Sequence, residues 1–358
     1  MVQFTDIHFG EWEENDQKSY ELMKNVIKWE KPDLVVVTGD AVSGYAWNGT
    51  QGWYAHHYHK FVQAMVDMNQ SWAFTAGNHD SQADLTREQI SELDRSFNLS
   101  LTKPNSGNLT HAFNYMLPIY DKIEEDVVYR LWFLDSGDEG CLGEIKGYDC
   151  VRPDQIEWFT DENTKIPVED LSKGEGFLFV HIPLYEYMHL INSHSFFGTL
   201  GENVCCQAVN TGLFKAIKQQ KSINWISVGH DHNNDYMGDY EGINLAYGRK
   251  TGYSCYGPKN LKHGARVFEV SYTEENNSTS HTHNRKYSVK TWIREEDKNK
   301  VVQNNEQTRS FFKPVQQFCG GAVSKAEVIE FHEEEQIYLR QYYQNRDDLR
   351  HLLHESYQ

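Results

Sequence analysis

Along the chain, short unbroken apolar runs each end in a polar cluster, and between them lie stretches with apolar residues three and four apart. Val2 to Thr5 is the first run and ends in Asp6-Ile7-His8-Phe9-Gly10. Gln17 to Glu30 carries Tyr20, Met23, Val26 and Ile27 at helical spacing, and Lys31-Pro32-Asp33 stops it. Leu34-Val35-Val36-Val37, a β-branched run of the kind covered on both faces of a sheet, ends in Thr38-Gly39-Asp40. Tyr54 to Asn69 predicts a second helix, and Trp72 to Ala76 a third strand that runs into Gly77-Asn78-His79-Asp80. The order strand, helix, strand, helix, strand, with a polar cluster after each strand, predicts an α/β sheet whose site lies past the carboxyl ends of its strands.

The pattern continues with a helix over Thr86 to Phe97 and a polar loop through Thr110. His111 to Tyr120 and Val127 to Leu134 read as a strand pair, antiparallel, ending in Asp135-Ser136-Gly137-Asp138. Pro153 opens a short helix over Asp154 to Phe159. Phe177 to Val180 is a buried strand ending in His181-Ile182-Pro183; Gln207 to Gln219 reads as a helix; Ile223 to Val228 is a strand ending in Gly229-His230-Asp231-His232. Ile243 to Tyr247, Arg266 to Val270 and Tyr287 to Ile293 complete a second strand-rich half, with Glu274 to Asn284 as a polar surface loop. Past Glu296 the composition turns to Asn, Gln, Lys and Glu. The expected division is therefore a unit over 1–297 and a polar extension over 298–358, with a charged helix from Val323 to His354.

Composition narrows the partners. The chain has 358 residues, 39% hydrophobic and 13% aromatic, which is globular, and its formal net charge is -18. An acidic surface argues against a phosphate backbone or an anionic membrane as partner, so no nucleic acid is expected. No apolar run approaches the roughly 18 residues of a membrane span. The cysteines, Cys141, Cys150, Cys205, Cys206, Cys255 and Cys319, fit no zinc module, but Cys141 and Cys150 flank a glycine-containing loop at disulfide distance in sequence. Asn-x-Ser/Thr sequons begin at Asn48, Asn69, Asn98, Asn108, Asn276 and Asn277. Cysteines and sequons lean towards the secretory route, vacuolar or extracellular. A core strand starting at Met1 suggests residues missing upstream; without them the expectation is cytoplasmic.

Five strand ends carry Asp6 and His8, Asp40, Asn78 and His79, His181, and His230 and His232. The pool is imidazole, carboxylate and amide oxygen, which suits iron, manganese or zinc better than calcium. It exceeds the ligands of one tetrahedral zinc and suits two metals about 3.5–4 Å apart sharing a bridge. Asp40 is the natural bridging ligand, since a carboxylate has two oxygens.

In that order, Asp-x-His, Gly-Asp, Gly-Asn-His-Asp, a strand-final His and Gly-His-x-His resemble the calcineurin-like metallophosphoesterases over about residues 1 to 297. Phe133-Leu134-Asp135-Ser136-Gly137-Asp138, Val180-His181-Ile182-Pro183 and Gly229-His230-Asp231-His232-Asn233-Asn234-Asp235 resemble a subgroup, the purple-acid-phosphatase-like proteins of plants and fungi that lack the N-terminal sandwich domain. The resemblance implies an α/β four-layer sandwich, two central mixed sheets flanked by helices. It implies Asp6, His8 and His232 on one metal, Asn78, His181 and His230 on the other, and Asp40 between. His79 would not be a ligand but would protonate the leaving oxygen or stabilise its charge, and Asp80 would sit behind His79 and orient it. Purple acid phosphatases hold iron with a tyrosine at Gly-Asp-x-x-Tyr spacing. Here that position is Ser43, with Tyr45 nearby, so a colourless protein is expected.

Other histidines carry less. His56, His57 and His59 read as a surface helix face, since no two stand at i, i+4, and His281 and His283 as loop residues. Asp135 and Asp138 are turn formers or rim residues. His189 and His194 fall in a segment expected to pass over the metals, and the run Gly248 to Gly257 resembles a closing loop in which Tyr253 packs or touches substrate. The expected activity is hydrolysis of phosphate monoesters, small-molecule or protein, by in-line attack of a bridging water. The alternatives are a phosphodiesterase or nucleotide pyrophosphatase with the same centre, or a non-catalytic metal-holding protein that binds partners.

Overall fold

The computed structural model describes residues 1–120, 127–142, 145–167, 175–275, 284–304, 309–310, 316 and 319. The first sheet is built from β1 (Val2–Phe4), β2 (Val35–Thr38) and β3 (Trp72–Thr75), parallel and in step, with Val2 opposite Val35 and Val35 opposite Trp72. Helices α1 (Glu13–Glu30) and α2 (Trp53–Asp67) make the two crossovers. The run of apolar residues in each strand is buried on both faces, as the β-branched composition requires. Helix α3 (Arg87–Arg95) follows β3, and Thr86 caps it in a reciprocal box with Gln89.

The second sheet starts with β4 (Tyr115–Tyr120) and β5 (Val127–Phe133), which pair antiparallel as expected. A small hairpin, β6 (Glu139–Cys141) and β7 (Ile145–Tyr148), is closed by the Cys141–Cys150 disulfide. Helix α4 (Pro153–Thr164) leads to β8 (Gly176–Phe179), helix α5 (Tyr185–Asn192), the short β9 (Thr199–Leu200) and helix α6 (Leu213–Gln220). The strands β10 (Trp225–Val228), β11 (Met237–Tyr240) and β12 (Ile243–Tyr247) complete the order β11-β12-β10-β8-β5-β4. The chain then returns to the first sheet with β13 (Gly264–Glu275), antiparallel to β1, β14 (Asn284–Glu295) and β15 (Lys300–Val301).

The two mixed sheets stack face to face, with Phe177 and Trp225 from the second against Phe268 from the first at 4.8 and 5.7 Å between ring centroids. One core cluster joins α1 and α2 to both inner faces; a second lies between the outer face of the second sheet and α4, α5 and α6. This is the expected four-layer α/β arrangement. Gln3 is fully buried between the layers. Its Nε2 donates to Val228 O at 3.1 Å and its Oε1 accepts from Ser227 Oγ at 2.6 Å, so β1 is tied to β10 and the carboxyl ends of both sheets open on one crevice.

Some boundaries differ from the sequence expectation. The helix read over Gln207 to Gln219 begins only at Leu213: Gly212 at φ 89° breaks it, while the Gln207 side chain caps Val151 N and holds Ile182 O. The segment after Pro183 is helix α5, packed against the second sheet through Tyr187, so His189 and His194 do not pass over the strand ends. Past Asp297 the chain stays attached. The Gln303 amide holds Asp235 O and Arg266, β16 (Arg309–Ser310) pairs with β9, Gln316 bonds Val204, and Cys319 forms a disulfide with Cys206. The helix expected over Val323 to His354 lies outside the described residues, as do His281, His283 and the sequons at Asn276 and Asn277. Among the described residues no helix is long and apolar enough to cross a membrane.

Candidate metal centre

Loops at the ends of β1, β2, β3, β8 and β10 bring Asp6, His8, Asp40, Asn78, His181, His230 and His232 together, and all seven are buried. Asp6, His8, Asp40 and His230 take left-handed backbone, at φ 53°, 58°, 51° and 76°. A side chain there costs on the order of 1–3 kcal/mol, so the surrounding bonds must over-determine it. They do: Asp6 N donates to Gly39 O at 3.1 Å, and both Ile7 N and His8 N donate to Asp40 O at 2.9 Å. The two loops touch so closely that a Cβ on Gly77 would stand 2.2 Å from Asp40 Oδ1, which accounts for the glycine before Asn78.

Asp40 is central. Its Oδ2 lies 3.6 Å from His8 Nε2 and 3.3 Å from His181 Nε2, while Oδ1 accepts from His79 N at 2.9 Å. On one side, His232 Nε2 is 3.5 Å from Asp6 Oδ1 and 3.3 Å from His8 Nε2. On the other, Asn78 Oδ1 faces His181 Nε2 at 3.1 Å and His230 Nδ1 at 2.9 Å. The donor atoms of Asp6, His8, Asp40 and His232 all lie within 4.8 Å of one another.

The outer nitrogens show why this set suits cations. His181 Nδ1 faces Thr38 O at 2.7 Å and His232 Nδ1 faces Tyr256 O at 2.7 Å. A carbonyl only accepts, so both Nδ1 atoms donate. His8 Nδ1 faces Ser43 Oγ at 2.9 Å, and that hydroxyl donates to Glu11 Oε1 at 2.6 Å, so His8 Nδ1 donates too. Each neutral ring therefore turns a bare Nε2 lone pair inward, towards other lone pairs and carboxylates. With the rings neutral, acceptors would face acceptors in a buried cluster, an arrangement that calls for positive charge. The electrostatics show the same demand for positive charge: burial raises the carboxyls of Asp6 and Asp40, yet protonated His232 and His181 respectively would hold both below the usual range. Burial lowers His181 and His232, yet Asp40 and Asp6 draw them up to about 9, so protons on these two rings supply that positive charge where no cation does. Burial, and then the charge of His181, pushes His230 down to about 3.

His79 stands at the rim, half-buried, its ring edge-on to Tyr45 at 4.7 Å. Its Nδ1 bonds Gln82 Oε1 at 2.7 Å, and Gln82 Nε2 donates to Asp138 Oδ1 at 2.9 Å. The expectation that Asp80 orients this ring is corrected. Fully buried Asp80 instead accepts from Asp40 N at 2.9 Å, Gly77 N at 2.7 Å, Val42 N at 3.1 Å and Tyr54 Oη at 2.9 Å. It pins the Asp40 loop to the Asn78 loop; Gln82 holds His79. Asp135 is likewise structural, paired with buried Arg87, which also donates to Gly77 O at 2.9 Å.

Loops supply residues that the strand pattern did not single out. Tyr148, held on the disulfide hairpin, sets its ring on His230 at 4.3 Å, and Tyr256 stacks on His232 at 4.1 Å. Lys250, buried, donates to Asp6 O at 3.0 Å. Tyr253 packs on His263 and bonds Glu296 instead of facing the cluster. His56, His57 and His59 lie on α2, where His57 is 3.8 Å from Asp16.

The profile of the family described as calcineurin-like phosphoesterase matches residues 1–234. An Arabidopsis thaliana protein named probable inactive purple acid phosphatase 29 is 29% identical over 295 residues, covering 78% of this chain and 74% of its own. The Saccharomyces cerevisiae protein named Phosphatase DCR2 is 30% identical over 264 residues, covering 66% of this chain and 44% of its own. Among solved structures, GAP50 of Plasmodium, titled the anchor in the inner membrane complex, shares the fold at TM-score 0.50 and 10% identity, over 93% of each chain. The chain belongs to the calcineurin-like phosphoesterase family.

Proposed function

We propose that the chain is a metal-dependent phosphoesterase acting on phosphate monoesters, with residues 1–297 as its catalytic unit. The observation that carries this reading is the set of inward, lone-pair-bearing imidazoles around Asp40, a cage suited to two cations of the iron, manganese or zinc type. Asp6, His8 and His232 would hold one and Asn78, His181 and His230 the other, with Asp40 shared between them. Bound there, two such ions polarise a phosphoryl group and supply a nucleophile at neutral pH.

The chain's own groups supply the rest. With Nδ1–H donated to Gln82 Oε1, His79 keeps Nε2 free of that bond, and in its imidazolium form Nε2 would donate a proton to the leaving oxygen. Asp80 fixes the spacing of the two halves, and Tyr148, Tyr45 and Tyr256 wall the mouth. The Arabidopsis relative is named inactive. In this chain every residue of the cage and His79 are in place, which supports catalysis over a purely binding role.

One observation favours diesters as a second reading. The cations touching the cluster, Arg87 and Lys250, are buried and turned onto backbone carbonyls and Asp135, away from a second phosphate charge. The test is turnover of p-nitrophenyl phosphate beside bis-p-nitrophenyl phosphate, after stripping and reloading with manganese, iron or zinc. Faster monoester turnover supports the proposal, faster diester turnover moves it to the second reading, and no metal-dependent turnover of either overturns it. Two disulfides, and exposed sequons at Asn48, Asn69, Asn98 and Asn108, support passage through an oxidising compartment.

A further inference from the structure

The loop between β12 and β13 brings a thiol to the cage. Cys255 Sγ lies within 4.8 Å of ring nitrogens of both His8 and His232, the same two imidazoles that group with Asp6 and Asp40. Its place is fixed on both sides. Cys255 N donates to Glu11 Oε2 at 3.1 Å, and the other oxygen of that carboxylate takes the Ser43 hydroxyl that orients His8. The next residue, Tyr256, accepts the His232 Nδ1 proton on its carbonyl and covers the ring. One carboxylate and one peptide thus lock the thiol to both histidines.

The second observation is independent of the cysteine. His8 and His232 are buried, both outer nitrogens are engaged elsewhere, and the two inner nitrogens converge at 3.3 Å beside Asp6 Oδ1, itself 3.5 Å from His232 Nε2. Such a convergence marks a cation position, and among the described residues the Cys255 thiol is a further donor within reach of it.

We infer that Cys255 is a thiolate ligand of the cation held by Asp6, His8 and His232, which makes that half of the cage a mixed oxygen, nitrogen and sulfur site. The inference rests on the two-metal reading. On binding, the S–H proton leaves to solvent and a sulfur–metal bond forms, with no change of oxidation state. A soft ligand turns this half towards zinc, iron or cobalt and away from magnesium, calcium or manganese, while the amide-bearing half keeps no such bias.

Cobalt is the probe. The stripped protein is loaded with Co2+, bound equivalents are counted by elemental analysis, and near-ultraviolet thiolate-to-cobalt charge transfer is recorded. The expected result is a charge-transfer band in the unmutated protein and in Cys205→Ser, lost in Cys255→Ser, together with at least about a tenfold loss of cobalt affinity at one of two sites. Two equivalents bound without the band, or a band that survives Cys255→Ser, overturns the inference and leaves the two-metal reading standing. No bound cobalt overturns both. Alkylation of the unmutated protein keeps the test independent of folding: bound zinc should protect Cys255 from iodoacetamide, and equal labelling with and without zinc overturns the thiolate.

Discussion

The two halves of the cage are built alike and dressed differently. The half around Asp6, His8 and His232 has a carboxylate of its own, a buried Lys250 behind it and a loop carrying Cys255 and Tyr256 across it. The half around Asn78, His181 and His230 has a neutral amide, a strand carbonyl behind His181 and the Tyr148 ring on His230. The first half therefore offers a cation a second carboxylate, its charge partly offset by Lys250, and the second half a neutral amide, while Asp40 is common to both. A doubly or triply charged ion gains most where carboxylates gather, so the halves should differ in affinity and in ion preference.

That contrast can be broken at its shared point. Asp40→Ala should lower turnover of the better p-nitrophenyl substrate by more than about a hundredfold, beyond the 10–100-fold of outer partners, and should weaken both metals together in an elemental count. His79→Ala should lower turnover by about 10²–10⁴ with metal content unchanged, because the ring serves the leaving group and not the cage. Unchanged turnover there would remove His79 from the chemistry.

The halves can then be separated. Asn78→Ala should cost one equivalent of metal and Asp6→Ala the other, and loss of both from either variant would show that the cage loads as one unit. Ser43→Ala removes the acceptor that holds the His8 ring, so it should weaken the first half alone by about 10–100-fold. Last, metal at about a hundred times its dissociation constant should add roughly 2.7 kcal/mol of stability, read as a rise in melting temperature absent from Asp40→Ala.

Much of this was legible in the sequence because buried parallel strands announce themselves as continuous apolar runs, and their polar ends stand out against them. Asp6, Asp40, Asn78, His181 and His230 were visible for that reason. Asp80 was visible but its role was not: adjacency in sequence suggested contact with His79, whereas the turn sends its carboxylate back to the amides of Asp40 and Gly77. Gln82, Tyr148, Cys255 and Tyr256 lie in loops or at a hairpin end, where no periodicity marks which side chain faces inward. The Cys206–Cys319 bond joins residues 113 apart, a pairing that spacing alone does not give. Ser43 was noticed only as a departure from a tyrosine pattern, and the fold gives it work as the acceptor for His8.

The central claim is a cage for two cations divided by Asp40, and metal stoichiometry tests it most directly. Isothermal titration of stripped protein with zinc, checked by elemental analysis, should give two equivalents of unequal affinity, with both weakened in Asp40→Ala. A single equivalent in the unmutated protein, or two undiminished equivalents in Asp40→Ala, would contradict the account.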